Sequence, residues 1–113
     1  MKIIDQEISI ADLDKMAAPG FGDMVKGVVD IDRRLLALDA QLHSDLEGLL
    51  LENGSKQGDL WGINLYPKAS GEDFIEFDSM INVRPSAGNK SRGVDDEVTR
   101  RKITEVVAKW VNR

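Results

Sequence analysis

The chain has 113 residues, a length typical of one domain, so we predict a single domain over 1–113. Hydrophobic residues make up 42% and charged residues 31%, as in ordinary globular proteins, and the absence of cysteine excludes disulfides and thiolate zinc sites. No apolar run approaches the ~20 residues of a membrane span and the N-terminal residues are acidic, so we expect neither a membrane partner nor a signal peptide.

The net charge of -5 is divided unevenly along the chain. Residues 1–83 carry seven Lys/Arg and sixteen Asp/Glu, whereas residues 84–113 carry eight Lys/Arg and four Asp/Glu. The basic end predicts an anionic small molecule or an acidic protein partner, or a homo-oligomer in which opposite ends of two copies meet. The alternative is a solvated C-terminal helix. The overall charge argues against nucleic acid, and a cysteine-free chain fits a cytoplasmic protein.

The chain begins with a predicted short edge strand at 2–4, followed by a helix. Ser9 is the predicted N-cap of this helix, and Asp12 lies three residues further on, as in a variant of the capping box. Pro19 and Gly20 cannot extend a helix, so we expect it to end before them.

Residues 24–31 are rich in β-branched side chains, which is typical of a strand. Asp32-Arg33 is a predicted turn, after which residues 35–38 return as the second arm of a hairpin. The alternative is a helix over 30–42, because this segment also has a helical rhythm of apolar residues. We favour the hairpin.

The segment HSDLEGLLLENGS predicts a short helix. Ser44 is the expected N-cap and Glu47 follows three residues on, which again resembles a capping box. Gly54 is the expected C-terminal stop.

Alternating apolar and polar residues predict two further strands, LWGINLYP and FIEFDSMINV, joined as an antiparallel hairpin. Extending the register of this hairpin places Asn64 opposite residue 75 and Arg84 near Ser55. Ile75, together with the apolar residues that alternate with it in the second strand, is expected to face the core.

A final helix is predicted from DDEVTRRKITEVVAKWVN, with Asp95 as its N-cap and an apolar stripe that ends at Trp110. Together these elements predict an α+β fold. We expect an antiparallel sheet of about four strands, with two or three helices packed on one face.

The same register brings two polar loops, residues 53–59 and 84–94, to one end of the predicted hairpin. Arginine offers planar donors to a carboxylate or phosphate, and glycine-containing turns can point several N–H groups at an anion. The candidate ligand-binding residues are Arg84, Asn89, Ser91, Arg92, Ser55 and Gln57. The alternative is a strand-to-helix connection whose arginines pair with the acids at 95–97.

His43 is the only histidine, and Asp45 and Glu47 follow it closely. A histidine and two carboxylates can bind a divalent metal or supply an acid and a base, so these three are the candidate catalytic residues. Acids in a first helical turn are also expected from the helix dipole alone. Since the H-E-x-x-H spacing of zinc hydrolases is absent, we assign no metal and no cofactor.

The chain resembles a small family of bacterial proteins catalogued only as a domain of unknown function. The segments that carry the resemblance are LHSDLEGLLLENGSKQGDLWGINLYP and IEFDSMINVRPSAGNKSRGVDD. The resemblance covers almost the whole chain, and it implies a compact, soluble bacterial domain without a known activity.

The residues themselves favour a binding or interaction domain that holds an anionic ligand at loops 53–59 and 84–94. The alternative is a small metal-assisted hydrolase or nuclease-like enzyme. In that enzyme His43, Asp45 and Glu47 would supply ligands or a base, and Arg84 and Arg92 would stabilise developing negative charge.

Overall fold

The computed structural model describes residues 1–113 and confirms the predicted α+β class. None of its helices has the combination of length and apolarity that crossing a membrane requires. The strands and helices are β1 (Lys2–Ile3), β2 (Ile8–Ser9), α1 (Ile10–Ala17), β3 (Val25–Asp30), β4 (Leu35–Leu38), α2 (His43–Glu52), β5 (Leu60–Leu65), β6 (Ile75–Glu76), α3 (Glu97–Trp110) and β7 (Val111–Asn112).

The main sheet has five strands in the order β1-β4-β3-β5-β6, and every neighbouring pair is antiparallel. The predicted hairpin is confirmed, since Asp30 at the end of β3 pairs with Leu35 at the start of β4. Arg34, in the turn, adopts the left-handed conformation with φ 58°. The alternative helix over 30–42 is therefore wrong. A second sheet, which the sequence did not predict, pairs β2 with β7 in parallel.

Two helices, α1 and α3, pack on one face of the main sheet, as expected for two or three helices, whereas the third, α2, lies on the opposite face. Alternate residues of β3 belong to different hydrophobic clusters. Val29 packs in the larger cluster, which includes residues of α1 and α3, whereas Val28 packs with Leu46 and Leu50 of α2. Since successive residues of a strand point to opposite faces, α2 covers the side opposite α1 and α3.

The helix starts agree only in part with the sequence. Ser9 and Asp12 form the predicted capping box, each accepting a backbone N–H from the other at 3.1 Å. The final helix is capped by Asp96, one residue later than predicted. Ser44 is not a cap, because α2 already begins at His43 and its N-cap is Leu42, which offers no side-chain hydrogen bond.

The strand predicted over residues 74–83 is wrong beyond its start. Only β6 pairs with β5, and Asn64 lies opposite Glu76, one residue from the predicted register. After β6 the chain leaves the sheet and forms short 3-10 turns at Met80–Asn82 and Pro85–Ala87. Ile75 is consequently only half-buried, and the fully buried apolar residue of this segment is Phe74.

Candidate functional site

The two predicted loops meet at one cavity of about 570 Å³, which we call the edge cavity. Gln57 and Gly58 come from the first loop, and Arg84 and Ser86 come from the second. Glu47 of α2 adds a carboxylate to the wall. The predicted convergence of the loops is therefore present, although few of the candidate ligand residues take part in it.

The Arg84 side chain is engaged in contacts within the chain. Its guanidinium stacks over the Trp61 ring at 4.7 Å from the ring centroid, and Nη2 donates to the Leu60 carbonyl oxygen. Glu47 lies at 4.0 Å from Nη2. Burial lowers the pKa of Arg84, whereas the charges of Glu47 and Asp59 act in the opposite direction. Arg84 therefore closes the open edge of β5, with 15% of its side chain exposed.

Asn82 closes the same edge one step along β5. Its Oδ1 accepts the Gly62 N–H at 2.8 Å, and its Nδ2 donates to the Gly62 carbonyl at 2.9 Å. The amide side chain thus makes the two bonds that a neighbouring strand would make to Gly62. A side chain at residue 62 would collide with Ser79, whose Cβ lies 2.5 Å from the position of an added Cβ. Glycine lets Ser79 and Asn82 approach this closely.

Asn89 holds the second loop together and is not available to a ligand. Its Nδ2 donates to the carbonyls of Asn82, Ser91 and Gly93, and its Oδ1 accepts the Asp95 N–H. The side chain is 4% exposed. Sequence reasoning placed Asn89 in the loop correctly, but its ligand-binding role is not supported because its hydrogen bonds are already made within the chain.

Both candidate serines are also engaged within the chain. Ser55 donates to Asp30 Oδ2 at 2.6 Å and accepts from Arg33, away from the edge cavity. Ser91 donates to Asp95 Oδ1 at 2.7 Å. Of the six candidates, Gln57 and Arg84 line the edge cavity, and Gln57 makes no side-chain hydrogen bond.

Arg92 lies at a second cavity of about 200 Å³, which we call the helix-start cavity. Its Nε is 2.7 Å from Asp78 Oδ1 in an exposed ion pair, rather than paired with the acids at 95–97. Lys26, His43 and Ser44 line the same cavity. The remaining wall includes Met80 and Ile81, which also line the edge cavity, so the two cavities are neighbours.

His43 is buried at the first residue of α2, with 8% of its surface exposed. Its Nε2 donates to the Ile63 carbonyl at 2.8 Å; a carbonyl only accepts, so the proton is on Nε2. The Asn64 side chain lies close enough to the ring to act as a second hydrogen-bond partner. Burial lowers the pKa of His43; the bond to Ile63 opposes this shift, and the charge of Lys26 adds to it.

Asn64 lies beside the His43 ring on the same face of the sheet, and its strand partner is Lys26. Its Nδ2 donates to Glu76 and to the Asp78 carbonyl, but its buried Oδ1 has no hydrogen-bond partner. Only 4% of the residue is exposed. A buried carbonyl oxygen without a donor marks this part of the molecule as polar and incompletely satisfied.

The three candidate catalytic residues do not assemble. His43 bonds to the sheet, Asp45 is exposed, and Glu47 faces Arg84 at the edge cavity. No group of three or more His, Asp or Glu side chains in the chain is placed to hold a metal ion. The structure therefore gives no support to a metal-assisted enzyme built on these three residues.

Lys26 and Ser79 were missed by sequence reasoning. Lys26 interrupts the apolar strand β3. Because it directly follows Val25, which packs in the larger cluster, its side chain is expected on the opposite face of the sheet. The sequence signal was thus present for Lys26. Ser79 was expected inside a strand, whereas it caps a 3-10 turn through a hydrogen bond from the Ile81 N–H.

Comparison with known proteins identifies a family. Residues 2–110 match the family described as Protein of unknown function (DUF5674), and the chain belongs to this family. No curated protein and no solved structure matches the chain.

Proposed function

We propose that this member of a family of unknown function is a small binding domain for an oxyanion, meaning a phosphate or carboxylate group, held in the helix-start cavity. The proposal keeps the anionic ligand expected from the sequence and moves its site from the edge cavity. Arg92 of loop 84–94 remains part of the site, whereas Arg84 becomes a structural residue.

The observation that carries the proposal is that the start of α2 has no side-chain cap and lies at a cavity lined by Lys26 and Arg92. The first N–H groups of an α-helix have no intrahelical partner, and Leu42 supplies none to α2. The positive end of the helix dipole therefore opens beside Lys26 and Arg92, which line the same cavity. The Ser44 hydroxyl adds a neutral donor.

The buried polar groups support an anion independently of the helix start. His43 is more than nine-tenths buried and lines the cavity, and its ring is held by the bond from Nε2 to the Ile63 carbonyl with the Asn64 side chain beside it. A bound anion favours the protonated imidazolium, which gains an N–H donor at Nδ1. We therefore expect binding to strengthen as the pH falls through the pKa of His43.

The size of the cavity limits the ligand. Small-molecule sites usually enclose roughly 300–1,000 Å³, and this cavity encloses about 200 Å³. That space suits one phosphate or carboxylate group and excludes full enclosure of a nucleotide. Asp78, paired with Arg92, lies close enough to compete for the same cation, so we expect modest affinity for the free ion.

The test is a calorimetric titration with inorganic phosphate and, separately, with citrate. At a ligand concentration of ten times Kd, binding stabilises the folded state by about 1.4 kcal/mol, which a thermal melt detects. Lys26→Met and Arg92→Gln should each weaken binding severalfold. Lys68→Met, which removes an exposed charge outside this cavity, is the matched control and should bind normally.

Two results would overturn the proposal. One is the absence of any heat or thermal shift at tens of millimolar phosphate or citrate. The other is unchanged affinity in the Lys26→Met/Arg92→Gln double variant.

The setting of the protein is part of the same proposal. The family resemblance supports a bacterial source, and the cysteine-free composition is compatible with a reducing cytoplasm. The opposite charges of residues 1–83 and 84–113 support self-association as well as binding of anions. Sedimentation at low and high salt tests the self-association.

A further inference from the structure

The largest cavity of the protein is an open groove of about 710 Å³ between α3 and β6, which we call the basic groove. Ile75 and Phe77 line it and pack against the larger hydrophobic cluster. Arg100 and Arg101 of α3 supply the opposite wall. The groove therefore lies on the face of the sheet that carries α1 and α3, away from the helix-start cavity.

The cations of the groove have no acidic partner in the fold. Arg100, Arg101 and Arg113 all line it. The only ion pairs within 4.0 Å in the chain are those of Arg84 and Arg92. Arg100 donates to a backbone carbonyl and Arg113 stacks on the Phe74 ring, so neither forms an ion pair within 4.0 Å, although the charge of Arg100 helps to lower the pKa of Asp95.

The groove borders the edge of the sheet, since Ile75 of the edge strand β6 lines it. β6 is the outermost strand, and its far side has no strand partner. An unpaired strand edge offers N–H and C=O groups to an extended segment of another chain. Ile75 and Phe77 are two residues apart, so their side chains point to the same side and offer apolar contacts to a segment lying beside β6.

We propose that the basic groove binds an extended acidic peptide segment of a partner protein. Carboxylates at alternate positions pair with Arg100, Arg101 and Arg113, and the intervening apolar side chains contact Ile75 and Phe77. The segment runs beside β6 and adds a short strand to the sheet. This inference is independent of the oxyanion site.

The chemistry of the groove favours a peptide over a nucleic acid. Glu72 and Glu97 also line the groove, so a continuous phosphate backbone would meet two carboxylates there. A peptide avoids them because it carries its charges on separate side chains. The chain as a whole has a net charge of -5, which further weakens attraction of a polyanion.

A foreign segment is also favoured over a second copy of this chain. If the groove lay on the axis of a two-fold dimer, three arginines would face the same three arginines of the partner. Such like-charge contact opposes association. A second copy is therefore an outcome that the experiment must detect rather than the expected occupant.

The test uses a short fluorescent peptide of alternating Glu and Val, titrated with the full chain and followed by fluorescence anisotropy. A peptide with Lys in place of Glu, and one with Ser in place of Val, separate the charge and apolar contributions. We expect binding of the Glu/Val peptide only, weakened at high salt because exposed charge pairs are screened.

The decisive variants lie on one helix. Arg101→Glu should weaken binding roughly tenfold, since it removes an attraction and adds a repulsion that are each worth up to about a factor of five. Lys102→Glu makes the same charge change at the next residue of α3, which does not line the groove. It should bind within roughly twofold of the unchanged protein.

Backbone amide shifts of a labelled sample locate the peptide. Strand addition predicts the largest changes at Ile75, Glu76 and Phe77, with the helix start of α2 unaffected. Equal binding of the Lys peptide, equal loss in both charge variants, or amide changes elsewhere would overturn the proposal. Self-association that Arg101→Glu abolishes would also overturn it, because the groove would then bind a second copy of the chain. Tighter binding of a single-stranded oligonucleotide than of the peptide would overturn it as well.

Discussion

The edge of β5 and the helix-start cavity contain similar polar side chains but use them in opposite ways. At the edge, Asn82 and Arg84 bond to the backbone of β5 in place of a missing strand. At the helix-start cavity, the Lys26 side chain makes no hydrogen bond and no ion pair, its ammonium lying over the Phe21 ring at 5.2 Å, and His43 donates from Nε2 to the Ile63 carbonyl. Polar residues that complete the backbone of the fold support its stability, whereas polar residues left unpaired around a cavity are available for a ligand.

The largest expected effect falls on the edge. Asn82→Ala removes hydrogen bonds to Gly62 and to the Arg92 carbonyl, and leaves the Gly62 N–H and C=O buried without partners. We expect a loss of roughly 3 kcal/mol in the free energy of unfolding, measured by urea denaturation. Asn112→Ala, at an exposed strand end, is the control and should cost little. Equal losses in the two variants would show that the edge bonds do not matter.

The next effect compares the two candidate arginines directly. Arg84→Met loses the Trp61 stack and the bond to Leu60, and we expect it to cost about 1–2 kcal/mol of unfolding free energy. Arg92→Met breaks an ion pair whose arginine is 57% exposed, and should cost less than about 1 kcal/mol. Phosphate binding should show the reverse order, with Arg92→Met the more damaged. A stability loss in Arg92→Met as large as that in Arg84→Met would contradict the division of roles.

The smallest effect concerns the pH dependence of stability. The folded-state pKa of His43 lies below its ordinary value of 6.5. Above that pH neither state binds the proton and stability is complete. As the pH falls below 6.5, the unfolded chain takes up a proton that the folded chain resists. The unfolding free energy therefore decreases until the folded pKa is reached, by at most about 1.4 kcal/mol per pH unit.

His43→Gln provides the measurement for this effect. Glutamine has an amide N–H that can still donate to the Ile63 carbonyl, but it does not titrate. Urea unfolding between pH 5 and pH 8 should show a shallower acid loss in the variant than in the unchanged protein. Added phosphate should reduce the acid loss of the unchanged protein alone, because a bound anion favours protonated His43. Parallel pH curves for both proteins would refute this account.

Much of the fold could be predicted from local patterns. The capping box at Ser9, the hairpin of β3 and β4 and the helical stripe of α3 each depend on residues close in sequence. Pattern and turn chemistry determine such features directly. The two loops do meet at the edge cavity, although the chain leaves the sheet after Glu76 and does not keep the predicted register.

The candidate site was harder to predict, because a residue type does not reveal its partner. Asn89 and Arg84 have side chains suited to a ligand site, yet both donate hydrogen bonds to backbone carbonyls elsewhere in the chain. Lys26 was overlooked because nothing in β3 alone indicates that it lies beside His43. Whether each candidate residue is free to bind a ligand is therefore decided by its tertiary contacts.

The sequence by itself determined the α+β class, the helix and strand segments with local signals, and the basic character of the last third of the chain. The tertiary structure decided that α2 covers the opposite face of the sheet, that the last predicted strand stops after Glu76, and that side chains complete the edge of β5. Periodicity gives each segment a face to bury, but which partner buries it depends on how all segments pack together. For the same reason, only the folded chain shows which polar groups are left for a ligand.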